Sequence, residues 1–498
     1  MISGFAAPDA HNDTDQVNRE FRHRRRKKHG GNKMTDPETL DVGDLVDRQK
    51  ISWFHIAIFA IAFFEVLVDG YDIFVPGFLG PELVKSWHIP PAALAPMFTA
   101  GLLGIVVGAP IFGWIGDRYG RKRSIIAGSV LYGALTFYSM WATSIGELSW
   151  QRFATGVALA GIIPNTLALA AEFAPKRSRA TVVVSVCLAT SFGLLLPGVV
   201  AALYVPTYGW PALLFVGGIA PLIGAAIAYL WLPESIKYLV VSGRDAEVVR
   251  IIHKLEPAFE LPAGARFKVS GIDLRPGLSP VKLFGDGLAV ITAMVWIAFV
   301  VALLTNYFVA SWLPTLMQAA GASPQQVAGS VGLYALGGVV GSLLIMRLID
   351  RYGTRSYGYF FLASVPCVAA FGWQNLSPVA LWLLALGAGM TVSGMLQALN
   401  TTLSMIYPTP LRSKGIGWGL AVGRFGAIGG PILGGILVNM HFTNLQIFAV
   451  PALLQLVGAV ACLVLTRQCV KRFRGPQLDD SAPAAQEDIR AKPAAIVV

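Results

Sequence analysis

The chain has 498 residues, of which 55% are hydrophobic and only 13% charged, with a mean hydropathy of +0.60. A soluble globular chain carries roughly 25% charged residues, so the composition excludes that class and indicates a polytopic membrane protein. The net charge of +11 does not require a nucleic-acid partner, because the basic residues collect on alternate loops between apolar runs, as membrane topology demands.

Residues 1–50 are polar, with a basic cluster at 22–28. They are expected to form a disordered cytoplasmic N-terminal tail beside anionic lipid headgroups. A translation start at Met34 is an open alternative. No secretory signal is read here, since polar residues follow the basic run. Apolar runs of about 20 residues, enough to cross hydrocarbon, follow near 54–79, 92–115, 125–143, 148–171, 180–204 and 211–232. A second set lies near 288–312, 327–349, 357–374, 379–405, 416–438 and 444–466. The expected fold is an all-α integral membrane protein of twelve transmembrane helices in two six-helix halves, residues 51–232 and 287–466. A central loop at 233–286 joins them, and a tail at 467–498 closes the chain. Arg118, Arg121, Lys122 and Arg123 follow the second run, Arg177 and Arg179 the fourth, Arg351 and Arg355 the eighth, and Arg412 and Lys414 the tenth. The positive-inside rule then places both termini and the central loop in the cytoplasm. Lys85 alone dissents.

An internal repeat supports two related halves. Asp117-Arg118-Tyr119-Gly120 recurs 233 residues later as Asp350-Arg351-Tyr352-Gly353. Arg177-Ser178-Arg179 is matched in the same way by Arg412-Ser413-Lys414. Parallel repeats of this kind build transporters whose substrate site lies between the halves near mid-membrane.

The first run contains Glu65, Asp69 and Asp72. Carboxylates in a span cost several kcal/mol by roughly any scale and mark proton or ion chemistry. Their i, i+4, i+7 spacing, at about 100° per residue, confines them to one face, where they can line one cavity. Dry, unpaired surroundings favour a protonated carboxyl and a nearby arginine favours the ionised one, so a site alternating between the two takes up and releases a proton. Arg152 opens the fourth run at its external end, against the charge trend, which favours an inward pairing over snorkelling. Arg424 lies amid apolar residues, and its planar fork suits a carboxylate; bonding to backbone carbonyls at a helix break is the structural alternative. Tyr71, Tyr307, Phe308, Trp312, Tyr334 and Trp418 offer flat apolar walls for a ring, and Asn165, Asn306, Gln397 and Asn400 offer hydrogen bonds to a ring hydroxyl.

Gly113-Trp-Ile-Gly-Asp117-Arg118-Tyr-Gly120-Arg121-Lys-Arg123 resembles the signature loop of the major facilitator superfamily. The resemblance implies a conformational latch carried by Gly113, Asp117, Arg118, Gly120 and Arg121, together with Glu172, and by Asp350 and Arg412 of the second copy, where Thr354 replaces the first copy's Arg121. Arg152-Phe-Ala-Thr-Gly156 is similar to the superfamily's second motif, whose arginine is associated with proton transfer. Asp69-Gly-Tyr-Asp72 with Gly77 and Pro81 resembles the aromatic acid:proton symporter family, whose first span needs both acids. Gly161-Ile-Ile-Pro-Asn165, Ala171-Glu172-Phe-Ala-Pro175, Leu232-Pro-Glu-Ser235 and Gly423-Arg424-Phe-Gly426 also look like that family, and the resemblance covers nearly all of residues 38–466. Glu65 is a departure: an extra acid that alters proton stoichiometry, or a structural partner for His55 or another polar group.

The resemblance implies a bacterial inner-membrane symporter that imports a small aromatic carboxylate, such as a hydroxybenzoate or protocatechuate, with protons. Proton coupling falls to Asp69, Asp72, Arg152 and Glu65, and substrate binding to Arg424, Tyr71, Asn165, Tyr307, Gln397 and Trp418. Partners are the substrate, protons and the bilayer, with function as a monomer and no nucleic acid. An exporter of drugs or metabolites, an importer of a non-aromatic organic acid and a membrane sensor are the alternatives. No enzyme, cofactor or metal is expected, because the seven histidines and four cysteines show no ligand spacing.

Overall fold

The computed structural model describes residues 39–256, 266–269, 280–285, 287–373, 376–396, 398–399, 406–407 and 409–473. Before the first long helix, β1 (Thr39–Asp41) pairs in parallel with β2 (Arg266–Lys268), and α1 (Val42–Asp47) begins under a cap in which Asp41 Oδ1 accepts from Gly43 N at 2.8 Å. This corrects the expectation of a disordered tail over 1–50. Residues 39–47 are structured because Val42, Leu45 and Val46 share one helical face and are buried against Phe173, Ile251, Ile252 and Leu255. Residues 1–38, including Met34 and the basic cluster, lie outside the described residues.

The long helices of the first half are α2 (Trp53–Trp87), α3 (Ala95–Tyr119), α4 (Arg121–Tyr138), α5 (Ile145–Leu159) with α6 (Ile162–Phe173), α7 (Arg179–Tyr208) and α8 (Pro211–Trp231). Two short helices, α9 (Ile236–Val241) and α10 (Asp245–Leu255), follow in the central loop. The second half has α11 (Ala289–Ala319), α12 (Pro324–Tyr352), α13 (Arg355–Ala369), α14 (Pro378–Ala388) running into a π-helical turn at Gly389–Ser393, α15 (Thr409–Asn439) and α16 (Asn444–Phe473). Ten helices among the described residues are long and apolar enough to cross a membrane. The two expected spans outside that set are α2, which carries Glu65, Asp69 and Asp72, and α13, which is 15 residues long.

Local chemistry fixes where the helices start and turn. Ser144 caps α5 through Glu147 N, and Ser323 forms a reciprocal capping box with Gln326. The repeated Asp-Arg-Tyr-Gly motif ends α3 and α12 on Gly120 and Gly353, with φ of 103° and 62°, a region open to glycine and strained for other residues. At Gly120 a Cβ would also lie 2.3 Å from the Glu234 carboxylate.

Small residues bring backbones together within each half. A Cβ on Gly156 would sit 2.0 Å from Gly101 O, and one on Gly426 2.0 Å from Val300 O. The halves close on each other at the end opposite the leader, the segment of β1 and α1 at residues 39–47. There Gly77 faces Ala310 O, Gly80 faces Thr315, Gly435 faces Ala95, and the Phe98 ring meets Trp312 edge-on at 5.2 Å. Lys85 Nζ also donates to Gln318 Oε1 at 3.1 Å.

Closure of this end therefore depends on the missing side chain at Gly77, where a Cβ would be 2.3 Å from Ala310 O. Overpacking costs roughly 1–3 kcal/mol, enough to shift a two-state balance roughly 5–150-fold. A cysteine substituted for buried Phe98 is expected to react with a water-soluble maleimide much faster in a Gly77→Val background. Equal rates in the two backgrounds would show that the seam does not depend on this contact.

Candidate functional site

The Asp69-Gly-Tyr-Asp72 motif sits mid-helix in α2, and each of its four residues has a different neighbour. Asp72 accepts from both terminal nitrogens of Arg152 on α5, at 2.7 and 2.6 Å, with side chains only 7% and 4% exposed. Bidentate geometry of this kind makes a strong charge-assisted pair. Tyr71 donates its hydroxyl to Leu213 O on α8 at 2.8 Å. Gly70 lets α7 approach, since a Cβ there would lie 2.4 Å from Thr190 O. Asp69 is buried at the seam, within electrostatic reach of Arg424 and Tyr307 from the other half and of Asp72 on its own helix.

Arg424 is held there by the glycines around it. Gly423 packs on Leu303 and Phe299, and Gly430 on Leu304 O, which presses α15 onto α11 beside Tyr307. The Arg424 Nη1 atom is buried and has no hydrogen-bond partner among the described residues. Buried guanidinium nitrogen without an acceptor is unfavourable, so this corner of the seam is suited to receive an anion. The expected helix-break alternative, bonding to backbone carbonyls, does not satisfy that nitrogen.

Other expected site residues are placed elsewhere. Glu65 does not join the two aspartates: it is sealed inside the first half, where its Oε2 accepts from Ser129 Oγ on α4 at 2.8 Å and its Oε1 lies close to Gly224 of α8 without a donor. It is not paired with His55, whose Nδ1 bonds Ser52. Tyr71 is turned into its own half by the Leu213 bond. Asn165 is likewise engaged locally, donating to Ser124 Oγ at 3.0 Å and Gly161 O at 2.8 Å. Neither side chain is aimed at the seam, because each satisfies its polar atoms within the first half. Trp418 stacks on Trp296 at 6.3 Å inside the second half. Phe308, Trp312 and Tyr334 are core residues with no exposure to speak of, Tyr334 donating to Asn306 Oδ1 at 2.9 Å. Gln397 and Asn400 lie outside the described residues.

At the leader end, Arg121 pairs with Glu172 at 3.0 Å, and Ser235 Oγ donates to the same carboxylate. Glu234 accepts from the backbone nitrogens of Lys122 and Ser235, both at 2.9 Å. Asp117 is exposed and has no ion pair or hydrogen bond among the described residues, Arg118 lies 5.9 Å over the Trp114 ring, and nothing approaches Gly113. The side chains of Asp350 and Arg412 lie outside the described residues.

Two participants went unpredicted. Tyr132 of α4 is fully buried within electrostatic reach of Asp69, Asp72 and Arg152, with its hydroxyl unpartnered among the described residues; a lone phenol in an apolar run was the only signal. Glu234 was legible only as part of a motif.

Removing one partner of a buried ion pair leaves the other uncompensated, at about 3–5 kcal/mol. Asp72→Asn and Arg152→Gln are each expected to lower the thermal midpoint of the detergent-purified protein clearly, and the double variant to recover much of the loss. Strictly additive losses would show that the pair contributes no coupling energy.

A family model for the Major Facilitator Superfamily matches residues 58–285 and 295–497. The 4-hydroxybenzoate transporter PcaK of Pseudomonas putida is 33% identical over 431 residues, covering 85% of this chain and 96% of the relative. The gallate transporter of Pseudomonas putida is 32% identical over 428 residues, covering 85% and 94%. Among solved structures, a D-xylose-proton symporter superposes with a TM-score of 0.62 at 17% identity, covering 82% of this chain and 97% of the other, a likeness of fold. The protein is a multi-pass membrane transporter and not an enzyme. It belongs to the major facilitator superfamily and, within it, to the aromatic-acid transporters.

Proposed function

We propose that the protein imports a small aromatic carboxylate of the hydroxybenzoate or protocatechuate type with protons, by alternating access, as a monomer in the bacterial inner membrane. The observation that carries this reading is that Asp69 of one half lies within electrostatic reach of Arg424 and Tyr307 of the other, with Arg424 Nη1 unpartnered among the described residues. In this reading α2 and α13 complete twelve spans, and both termini and the central loop are cytoplasmic, as the basic loops require. The closed end of the seam is then external.

A substrate carboxylate competes with Asp69 for Arg424. Once the substrate holds the guanidinium, Asp69 is a buried acid without a cation, which is unfavourable, and it takes a proton. Anion and proton therefore bind together. When the substrate leaves inward, Arg424 returns to Asp69 and the proton departs. Moving an anion inward against a negative-inside potential is opposed by about 2.3 kcal/mol per charge per 100 mV, and one accompanying proton removes that cost. Asp72 takes part through its bidentate pair with Arg152, which fixes α2 against α5. The exposed Asp117 fits a signature-loop latch that is released while the leader end is open.

Cells expressing the chain are expected to accumulate labelled 4-hydroxybenzoate or protocatechuate, and to lose that accumulation with a protonophore or with Asp69→Asn. Arg424→Gln is expected to abolish substrate binding outright. Efflux without uptake from a well-inserted protein would favour an exporter, and uptake indifferent to the protonophore would remove proton coupling.

Glu65, enclosed within one half, is assigned a supporting role. Glu65→Gln is expected to keep most protonophore-sensitive uptake. A loss as complete as that of Asp69→Asn would make Glu65 a coupling group.

A further inference from the structure

A groove of about 1190 Å³ lies on the flank of the seam, between α3, α5 and α15. It exceeds the roughly 300–1,000 Å³ of pockets that enclose a whole drug-sized molecule. All three walls belong to helices long and apolar enough to cross the membrane, and Leu103, Ile432 and Ile436 on them are exposed large hydrophobic side chains, so the open side of the groove faces hydrocarbon. Its rim is at the helix ends, at Pro90, Ile145 and Asn439, and its floor at Leu103, Phe153 and Ile432. The floor lies two turns inside the helices, about 12 Å at about 1.5 Å per residue. One leaflet of a hydrocarbon core is roughly 15 Å deep, half of about 30 Å. The groove thus runs along the membrane normal from headgroup level through most of one leaflet.

Its chemistry is that of a tail and not of a polar ligand. The hydroxyls on its walls are already satisfied, Thr99 donating to Ala95 O at 2.7 Å and Ser149 to Ile145 O at 2.6 Å. Trp150 beside the rim is 73% exposed, as suits an aromatic at the membrane interface. The groove also spans both halves: α3 and α5 come from the first and α15 from the second, and its edge is the contact of Gly435 with Ala95.

We propose that this groove seats one acyl chain of a bilayer lipid, and that the seated chain favours the arrangement in which this end of the seam is closed. The walls approach each other only while Gly435 meets Ala95, so parting the halves dismantles the seat, and by linkage its occupant resists the parting. This holds whatever the transported substrate.

The test uses the full chain in nanodiscs of phosphatidylethanolamine and phosphatidylglycerol doped with a phosphatidylcholine bearing a diazirine at the end of one tail. After irradiation, adducts are mapped by mass spectrometry. Labelling of Leu103, Phe153 and Ile432 is expected to exceed several-fold that of Leu203 and Leu230, which are 64% and 67% exposed on other helices. Leu103→Trp, which fills the floor, and Gly77→Val, which opens the seam, are each expected to remove the excess while Leu203 still labels, the internal sign that the variant is folded and embedded. Equal labelling of groove and Leu203 in the unmodified chain would overturn the seat. An excess that survives Gly77→Val would overturn its link to closure.

Discussion

A charge inside hydrocarbon must find a partner or be neutralised, and the arrangement of α2 follows from that. Each of its two motif aspartates has an arginine within electrostatic reach, but the two relations differ in kind. Asp72 and Arg152 belong to one half and make a bidentate, buried contact that no motion between halves disturbs. Asp69 and Arg424 belong to different halves, so the distance between them is a function of how the halves sit. Only the second pairing can report the conformation of the transporter, and in the proposed mechanism only it exchanges partners with substrate.

Packing makes the halves stiff enough for that distinction to matter. Gly70 against Thr190 O, Gly104 against Phe153 O and Gly426 against Val300 O place backbones in direct contact within a half, leaving little to deform. The leader adds to the first half: α1 is buried with α10 under α6, and Asp47 pairs with Arg179 at the start of α7. Between halves the same glycine device recurs at one end, through Gly77, Gly80 and Gly435. The outcome is two bodies with a closable end, and the groove between α3, α5 and α15 lies where that closure is made.

The hydrophobic runs, the two halves and the signature turn were legible because each rests on a local rule: span length, charge asymmetry, and a glycine where φ is positive. That Asp69 and Arg424 each need a partner was legible for a similar reason, since a charged residue amid an apolar span demands one of opposite sign. Orientation was less so. Helical periodicity puts Glu65, Asp69 and Asp72 within one sector, but which neighbour fills each part of that sector is decided by packing across the bundle, and Ser129 and Gly224 claim Glu65. The local hydrogen bonds of Tyr71 and Asn165 were hidden for the same reason, because their partners, Leu213 O and Ser124 Oγ, are distant in sequence. Order in residues 39–47 depended on burial against a loop helix some 200 residues on, as Gln49 to Glu256 illustrates, and short apolar helices carry little signal of their own.

The polar groups of the site also divide the work unequally between the halves. In the first half Asp72, Tyr71 and Asn165 have partners from their own half and Glu65 has one on one oxygen, while the Tyr132 hydroxyl and Arg152 Nε have none among the described residues. The second half brings to the seam a guanidinium with an open nitrogen and a phenol, Arg424 and Tyr307. Proton chemistry on this view is the task of the first half and anion recognition that of the second, so neither half alone is a transporter site. Substitutions that change which carboxylate is accepted should therefore concentrate on α11 and α15, while those that uncouple proton movement concentrate on α2.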